Sequence, residues 1–308
     1  MIKEYTHGDI TWVDLTKPTQ DEVRTAMKRF DLPPAIAQEL LSPSAKPKID
    51  VYGDNFYLIL HFPAIKHAGQ EESIQELDFI VSKDTVITTR YDSIDPVHKF
   101  TKEFKISSIL KNNLAPEGQK EHAGHLFFAM LSELYETLAA DLAYIETSLD
   151  EIEEKIFAGK EKDMVREISN VSRILLTFRQ SLITHSGILQ SLKEVSDDLF
   201  GENYDLYINE LINEHFRVSR TVEQLQDIVK EVRETNHALL STKQNEVMKT
   251  LTIMAFVTFP LSLLASIFGM NTVHTPVAGM ENDFWIVIVI MGILTLAFFI
   301  FFKQKKWL

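Results

Sequence analysis

The chain has 308 residues, no cysteine and a formal net charge of −13, with a mean hydropathy of −0.04. Without cysteine there is no disulfide, zinc–thiolate site or thiol nucleophile, and an acidic chain without a basic stripe is a poor partner for nucleic acid, whose phosphates need clustered Lys and Arg. The averages hide a split: residues 1–242 hold 26 basic and 41 acidic side chains, a balance of −15, whereas 243–308 hold 5 and 3, a balance of +2, in a mostly apolar tail.

The first residues, MIKEYTHGDI, contain no apolar h-region, so no cleavable signal peptide is expected. Residues 1–118 are predicted as a mixed α/β domain on the cytoplasmic side. ITWVDL (10–15) and FYLILHF (56–62) are strand-like, rich in β-branched and aromatic residues. LDFIVS (77–82) and TVITTRY (85–91) are two more, split by a turn at Lys83-Asp84. Thr19 and Glu22 have the spacing of a capping box, which opens a helix over about 20–30. Further helices are expected after Pro34 and after Pro96.

From about 119 to 250 the chain becomes helical and charge-laced. Three long helices are predicted, at about 119–158, 161–199 and 203–268, with Gly159, Gly187 and Gly201 as the breaks. In the third, Val218, Val222, Leu225, Val229, Val232 and Leu239 recur at alternating spacings of four and three, with Asn236 in the same seam. That is a coiled-coil pattern, in which one polar seam residue fixes register. The helix runs on into an uncharged stretch, so it is predicted as a stalk. The acidic run Asp150, Glu151, Glu153, Glu154 is expected to be a solvated helix face. His122 and His125 beside Glu121 have metal-ligand spacing but no third well-placed ligand.

Two segments are long enough to cross a bilayer, whose hydrocarbon core of about 30 Å takes about 20 helical residues. Leu251–Met270 and Phe284–Phe302 carry no charge, and the loop 271–283 between them has no Lys or Arg. Lys243 and Lys249 precede the first span, and Lys303, Lys305 and Lys306 follow the second in the tail 303–308. Lys and Arg favour the cytoplasmic side, so both termini are expected there, with the loop outside. Trp285 and Trp307 sit near the two ends of the second span. Pro260 interrupts the first span, which also carries Thr252, Thr258, Ser262 and Ser266. Two helices cannot enclose a polar pathway, so transport requires an oligomer.

The first span ends Phe268-Gly269-Met270-Asn271, is preceded by Asn245-Glu246-Val247-Met248-Lys249, and the chain closes on KQKKWL. In this layout the chain resembles the CorA family of magnesium channels. The resemblance implies an α+β cytoplasmic domain (an α/β/α sandwich), a helical stalk and two C-terminal transmembrane helices in a funnel-shaped homopentamer in the cell inner membrane. It implies a selectivity filter at Gly269, Met270 and Asn271, with Asn245, Met248, Leu251, Thr252 and Ser262 lining the pore. It also implies cytoplasmic Mg²⁺ bound between subunits that closes the channel, with Glu210 as one ligand and Asp92 or Asp95 as its partner. Family members commonly carry Tyr where this chain has Phe268, and zinc-transporting relatives alter the residue matching Met270.

The chemistry agrees with this expectation. Mg²⁺ loses water reluctantly and prefers oxygen ligands, so a ring of uncharged amide oxygens can hold the hydrated ion and still release it. Met248 and Leu251 are expected to form an apolar constriction, and Phe259 is bulky for a pore-facing position. Glu281 and Asp283 would concentrate cations at the outer mouth. A related transporter for Co²⁺, Ni²⁺ or Zn²⁺ is the first alternative, and a membrane-anchored sensor or scaffold without flux is the second. No nucleotide, hydrolase or metalloprotease motif is present. The chain is therefore expected to be no enzyme, to need no organic cofactor, and to move ions down their electrochemical gradient.

Overall fold

The computed structural model describes residues 1–64, 73–91, 122–201, 204–270, 282–305 and 307. They form two compact units, Met1–Arg233 and Glu234–Leu308.

In the first unit, strands β1 (Ile2–His7), β2 (Ile10–Thr16), β3 (Lys48–Tyr52), β4 (Asn55–Ala64), β5 (Ser73–Val81) and β6 (Thr85–Arg90) form one sheet. Their order is β1-β2-β6-β5-β4-β3, with β2 and β6 parallel and all other neighbours antiparallel. The four predicted strands are the four inner ones. The two unpredicted strands, β1 (IKEYTH) and β3 (KIDVY), are the sheet edges. Edges carry charged side chains that discourage pairing with another chain, so they lack the apolar run that marks an inner strand.

Alternation along β4 sorts the two faces. Tyr57 and Ile59 point to one side, where Val13, Leu15, Ile80 and Ile87 meet Val23 of helix α1 (Gln20–Arg29) and Ile36, Ala37 and Leu40 in and after helix α2 (Pro34–Glu39). α1 opens on the expected capping box: Glu22 N–H donates to Thr19 Oγ1 at 3.3 Å, and Thr19 N–H donates to Glu22 Oε2 at 2.9 Å. α2 begins on Pro34, whose missing N–H has no helical partner at that position in any case. Phe56 and Phe79 serve the opposite face and meet the Phe127 ring edge-on at 5.4 and 5.3 Å. Helices α3 (Ala123–Phe157) and α4 (Glu161–Phe200) cover that side, completing an α/β/α sandwich. The helix expected after Pro96 lies outside the described residues.

A buried polar chain ties α3 and α4 to the sheet. His185, fully buried, faces the His61 carbonyl through Nε2 at 3.0 Å, and the Tyr135 hydroxyl lies 3.0 Å from its Nδ1. A carbonyl only accepts, so Nε2 holds the proton and Nδ1 accepts from Tyr135. Burial pushes the imidazole pKa down to about 3. The His61 side chain pairs at 3.1 Å with Glu76 on the neighbouring strand β5, and Glu76 also accepts from the Ser44 N–H.

Helix α5 (Asp205–Phe268) continues as one element to the end of the first apolar segment. Its heptad seam is buried within the chain: Val218, Val222, Leu225, Val229 and Val232 are all 5% exposed or less. His215 Nε2 donates to the Leu182 carbonyl at 2.8 Å, and Gln226 Nε2 to that of Leu175 at 3.4 Å. The seam between 218 and 232 thus packs on α4 of the same chain. The acids at 150–154 are exposed, as expected.

The second unit contains the rest of α5 and helix α6 (Asp283–Gln304). Both helices are long and apolar enough to cross a membrane.

Candidate functional site

The first span has two faces. Of its half-buried residues, Ile253, Val257, Leu261, Leu264 and Phe268 form one set, with Thr252, Ala255 and Pro260 outside it. On α6 the half-buried positions are Val287, Met291, Leu294 and Phe298, continued by the buried Phe302. Each set recurs at spacings of three and four, so each is a stripe on one face of its helix. The partial burial of each stripe marks the side of its helix turned to the other span, and the Phe256 and Phe302 rings stand edge-on at 6.4 Å.

At about 3.6 residues per turn, the direction opposite the α5 stripe carries Met248, Thr252, Ala255, Phe259, Ser262, Ser266 and Met270 within about 40°. Asn245, Leu251 and Gly269 lie within about 60°. Every expected pore residue of the first span therefore shares the face turned away from α6. Met248, Leu251 and Ser262 are exposed there, and Thr252 is half-exposed. Phe259 is 73% exposed at the middle of this face. Phe259 and Ser266 share the face with the expected pore residues, though sequence spacing alone did not assign them.

The two threonine hydroxyls of the first span are anchored on their own helix. Thr252 Oγ1 donates to the Met248 carbonyl at 2.8 Å and Thr258 Oγ1 to that of Met254 at 2.7 Å. This leaves the oxygen lone pairs outward, as acceptors for water. Pro260 lies within the helix and supplies no N–H to the preceding turn, so that turn has one backbone bond fewer.

The C-terminal end of the first span is a close backbone approach. Gly269 N–H donates to the Ala265 carbonyl at 2.9 Å. A Cβ on Gly269 would stand 3.1 Å from that same oxygen, so any side chain would force the turn to give. Met270 follows, exposed. Asn271 and Glu281 lie outside the described residues. Asp283 opens α6, and its Oδ1 accepts from the Phe284 N–H at 2.6 Å.

Of the expected regulatory acids, Glu210 is exposed on α5, and Asp92 and Asp95 lie outside the described residues. One turn after Glu210, Glu214 is 8% exposed. It accepts from Ser132 Oγ at 2.6 Å through Oε1, while its Oε2 is buried with no hydrogen-bond partner. Burial raises its pKa, and Glu210 and Glu136 add repulsion. Nothing in the spacing of the acids separates Glu214 from the exposed ones; its burial does. Among the described residues no three His, Asp or Glu converge on one point. His122 and His125 are structural: the Gly124 N–H donates to His122 Nδ1 at 3.2 Å, and the His122 ring stacks on Phe200 at 4.7 Å.

The pattern of the family described as CorA-like Mg²⁺ transporter protein matches residues 7–304. The cobalt/magnesium transport protein CorA of Thermotoga maritima is 25% identical over 303 residues, covering 97% of this chain and 83% of that protein. The protein of the same name from Methanocaldococcus jannaschii is 24% identical over 306 residues, covering 97% and 92%. Among solved structures, the complete CorA magnesium transporter of M. jannaschii superposes with a TM-score of 0.82 at 20% identity, over 99% of this chain and 93% of that one. The cytoplasmic domain of ZntB from Vibrio parahaemolyticus superposes with a TM-score of 0.60 at 16% identity, over 76% and 88%.

Proposed function

The chain belongs to the CorA-like Mg²⁺ transporter family, and from that premise we propose that it works as a homopentameric channel for hydrated Mg²⁺, lined by the face of α5 turned away from α6. It is a membrane protein that transports divalent cations. The observation that carries the finer reading is the distribution of side chains on α5. One face is given to α6, and the opposite one holds Thr252, Ser262 and Ser266 among apolar residues. Hydroxyls facing lipid gain nothing, whereas hydroxyls facing a water-filled axis solvate an ion. One chain supplies one wall, so several copies must surround the axis.

Asn271 forms the outer ring in this reading. Its amide oxygens accept hydrogen bonds from the water shell that Mg²⁺ keeps. Gly269 lets the helix end tightly beneath that ring. Met248, Leu251 and Phe259 form apolar rings further in, where water is expelled when the pore narrows. Entry needs no fuel: a divalent ion gains about 4.6 kcal/mol per 100 mV on entering a negative interior, twice the single-charge value. Lys243, Lys249, Lys303, Lys305 and Lys306 support a topology with both termini in the cytoplasm. Co²⁺ is a second cargo, supported by the names of the two transport proteins to which the chain is similar. Neither a catalytic step nor an organic cofactor is part of this mechanism.

Cytoplasmic Mg²⁺ closes the channel by bridging copies. The balance of −15 over residues 1–242 makes neighbouring copies repel, and a bound cation relieves the repulsion. Glu210 is the exposed ligand, with Asp92 or Asp95 from the adjacent copy opposite it, and Glu214 supports Glu210 one turn away.

The test is Mg²⁺ flux into liposomes containing the purified chain, wild type against Asn271→Ala. The wild type carries Mg²⁺, and the variant loses at least tenfold in flux or in preference for Mg²⁺ over Ca²⁺. Flux and selectivity independent of Asn271 would break the assignment of the filter, and no flux from the wild type would favour a sensor or scaffold.

A further inference from the structure

The two spans enclose a groove of 820 Å³ beside the basic end of α6, within the about 300–1,000 Å³ common for small-molecule sites. Its floor is Phe302, 4% exposed, and its walls are Phe256 of α5 and Phe298 and Phe301 of α6. Trp307 folds back over the end: its N–H donates to the Phe302 carbonyl at 2.9 Å, and its ring stacks on Phe302 at 5.9 Å. Lys305 stands at the rim.

From this arrangement we propose that the groove is a binding site for one anionic phospholipid, its acyl chain along Phe256, Phe298 and Phe301 and its phosphate on Lys305. The occupant follows from charge and place. Phe256 stands about a quarter turn from both the α6 stripe and the opposite face, so the groove opens toward the flank of the helix pair. Most of its lining belongs to α6, the helix on the far side of α5 from the proposed pore axis, where the medium around a spanning helix is lipid. Lipid tails are as apolar as these side chains, so tail contact alone gives no preference among lipids. The preference comes from the rim, where Lys305 is exposed, Lys303 lies two residues before it, and residues 284–308 contain no Asp or Glu. A cationic side chain beside an anionic headgroup is worth about 1 kcal/mol, or about fivefold in affinity. Trp307 amplifies the site by closing its end with an amphipathic ring at headgroup depth.

Trp307 also reports on the site. The full chain carrying Trp285→Phe has one tryptophan beside the spans, since Trp12 is 2% exposed within the sheet of the first unit. It is reconstituted into phosphatidylcholine vesicles titrated with acyl-brominated phosphatidylglycerol, and in parallel with acyl-brominated phosphatidylcholine. The expected result is quenching of Trp307 with about fivefold higher relative affinity for the anionic lipid. Lys305→Gln brings the ratio close to one. Ala297→Phe, which fills the groove and leaves every charge in place, also removes the preference. Equal quenching by the two lipids overturns the proposal and assigns the groove to annular lipid or a neighbouring copy. A preference that survives either variant overturns it in favour of diffuse attraction to the basic tail.

Discussion

Phe259 and Ser262 stand on one face of α5 and Val257 and Leu264 on the other, although all four lie within eight residues of one apolar run. Ser262 was picked out in the sequence, because a hydroxyl in a span is itself a signal. Phe259 was not, because an apolar side chain in an apolar segment does not say which way it faces until the second span is placed. Glu214 was illegible for a related reason: among many acids, only its burial distinguishes it. His185 carries a testable consequence of burial. Its folded pKa of about 3 lies well below the ordinary value of 6.5, so between those limits the unfolded chain binds the extra proton. The stability that neutral His185 contributes is therefore complete above pH 6.5 and is lost as pH falls toward 3. Guanidinium unfolding in detergent, followed by near-ultraviolet circular dichroism, should show a stability slope between pH 6 and 4 that is steeper in the wild type than in His185→Gln. The difference should approach about 1.4 kcal/mol per pH unit, the value for one proton.

Among the elements, local chemistry was the most legible. The Thr19–Glu22 capping box, the inner strands and the three long helices follow from caps, β-branched runs and heptad spacing. The edge strands β1 and β3 did not show, because the charges that protect a sheet edge erase the strand pattern. The α5 seam was legible as a seam, but its partner was not: heptad spacing requires an apolar surface opposite and does not say which chain provides it. That surface is α4, and the seam therefore stabilises the fold of one copy. Leu225→Ala should lower unfolding stability by about 2–5 kcal/mol, the usual range for emptying a buried leucine site. The loss should not depend on protein concentration, as measured by chemical denaturation at two dilutions. A concentration-dependent loss would place the seam at a contact between copies.

For the whole molecule, the split in charge seen first in the sequence becomes a division of labour. The acidic excess lies before residue 243, and the apolar spans follow it, ending on a basic tail. Fold and family were legible because Gly-Met-Asn occurs in a specific place, at the C-terminal end of the first of two spans. For the proposed regulatory site the sequence offers two acids opposite Glu210, Asp92 and Asp95, because in one chain an acid at a contact between copies looks like a solvated acid. Neutralising Glu210 and Asp92 together should weaken inhibition of flux by Mg²⁺ on the cytoplasmic side by at least severalfold, and unchanged inhibition in that assay would remove both from the regulatory site. The central claim is that the face of α5 turned away from α6 carries the ion. The chain has no cysteine, so one introduced thiol gives an unambiguous label. Single cysteines at Ser262, Ser266, Val257 and Leu264 can each be treated with a charged, water-soluble methanethiosulfonate during Mg²⁺ flux into liposomes. Modification should block flux at Ser262 and Ser266 and leave it unchanged at Val257 and Leu264; block at the second pair with none at the first would contradict the account.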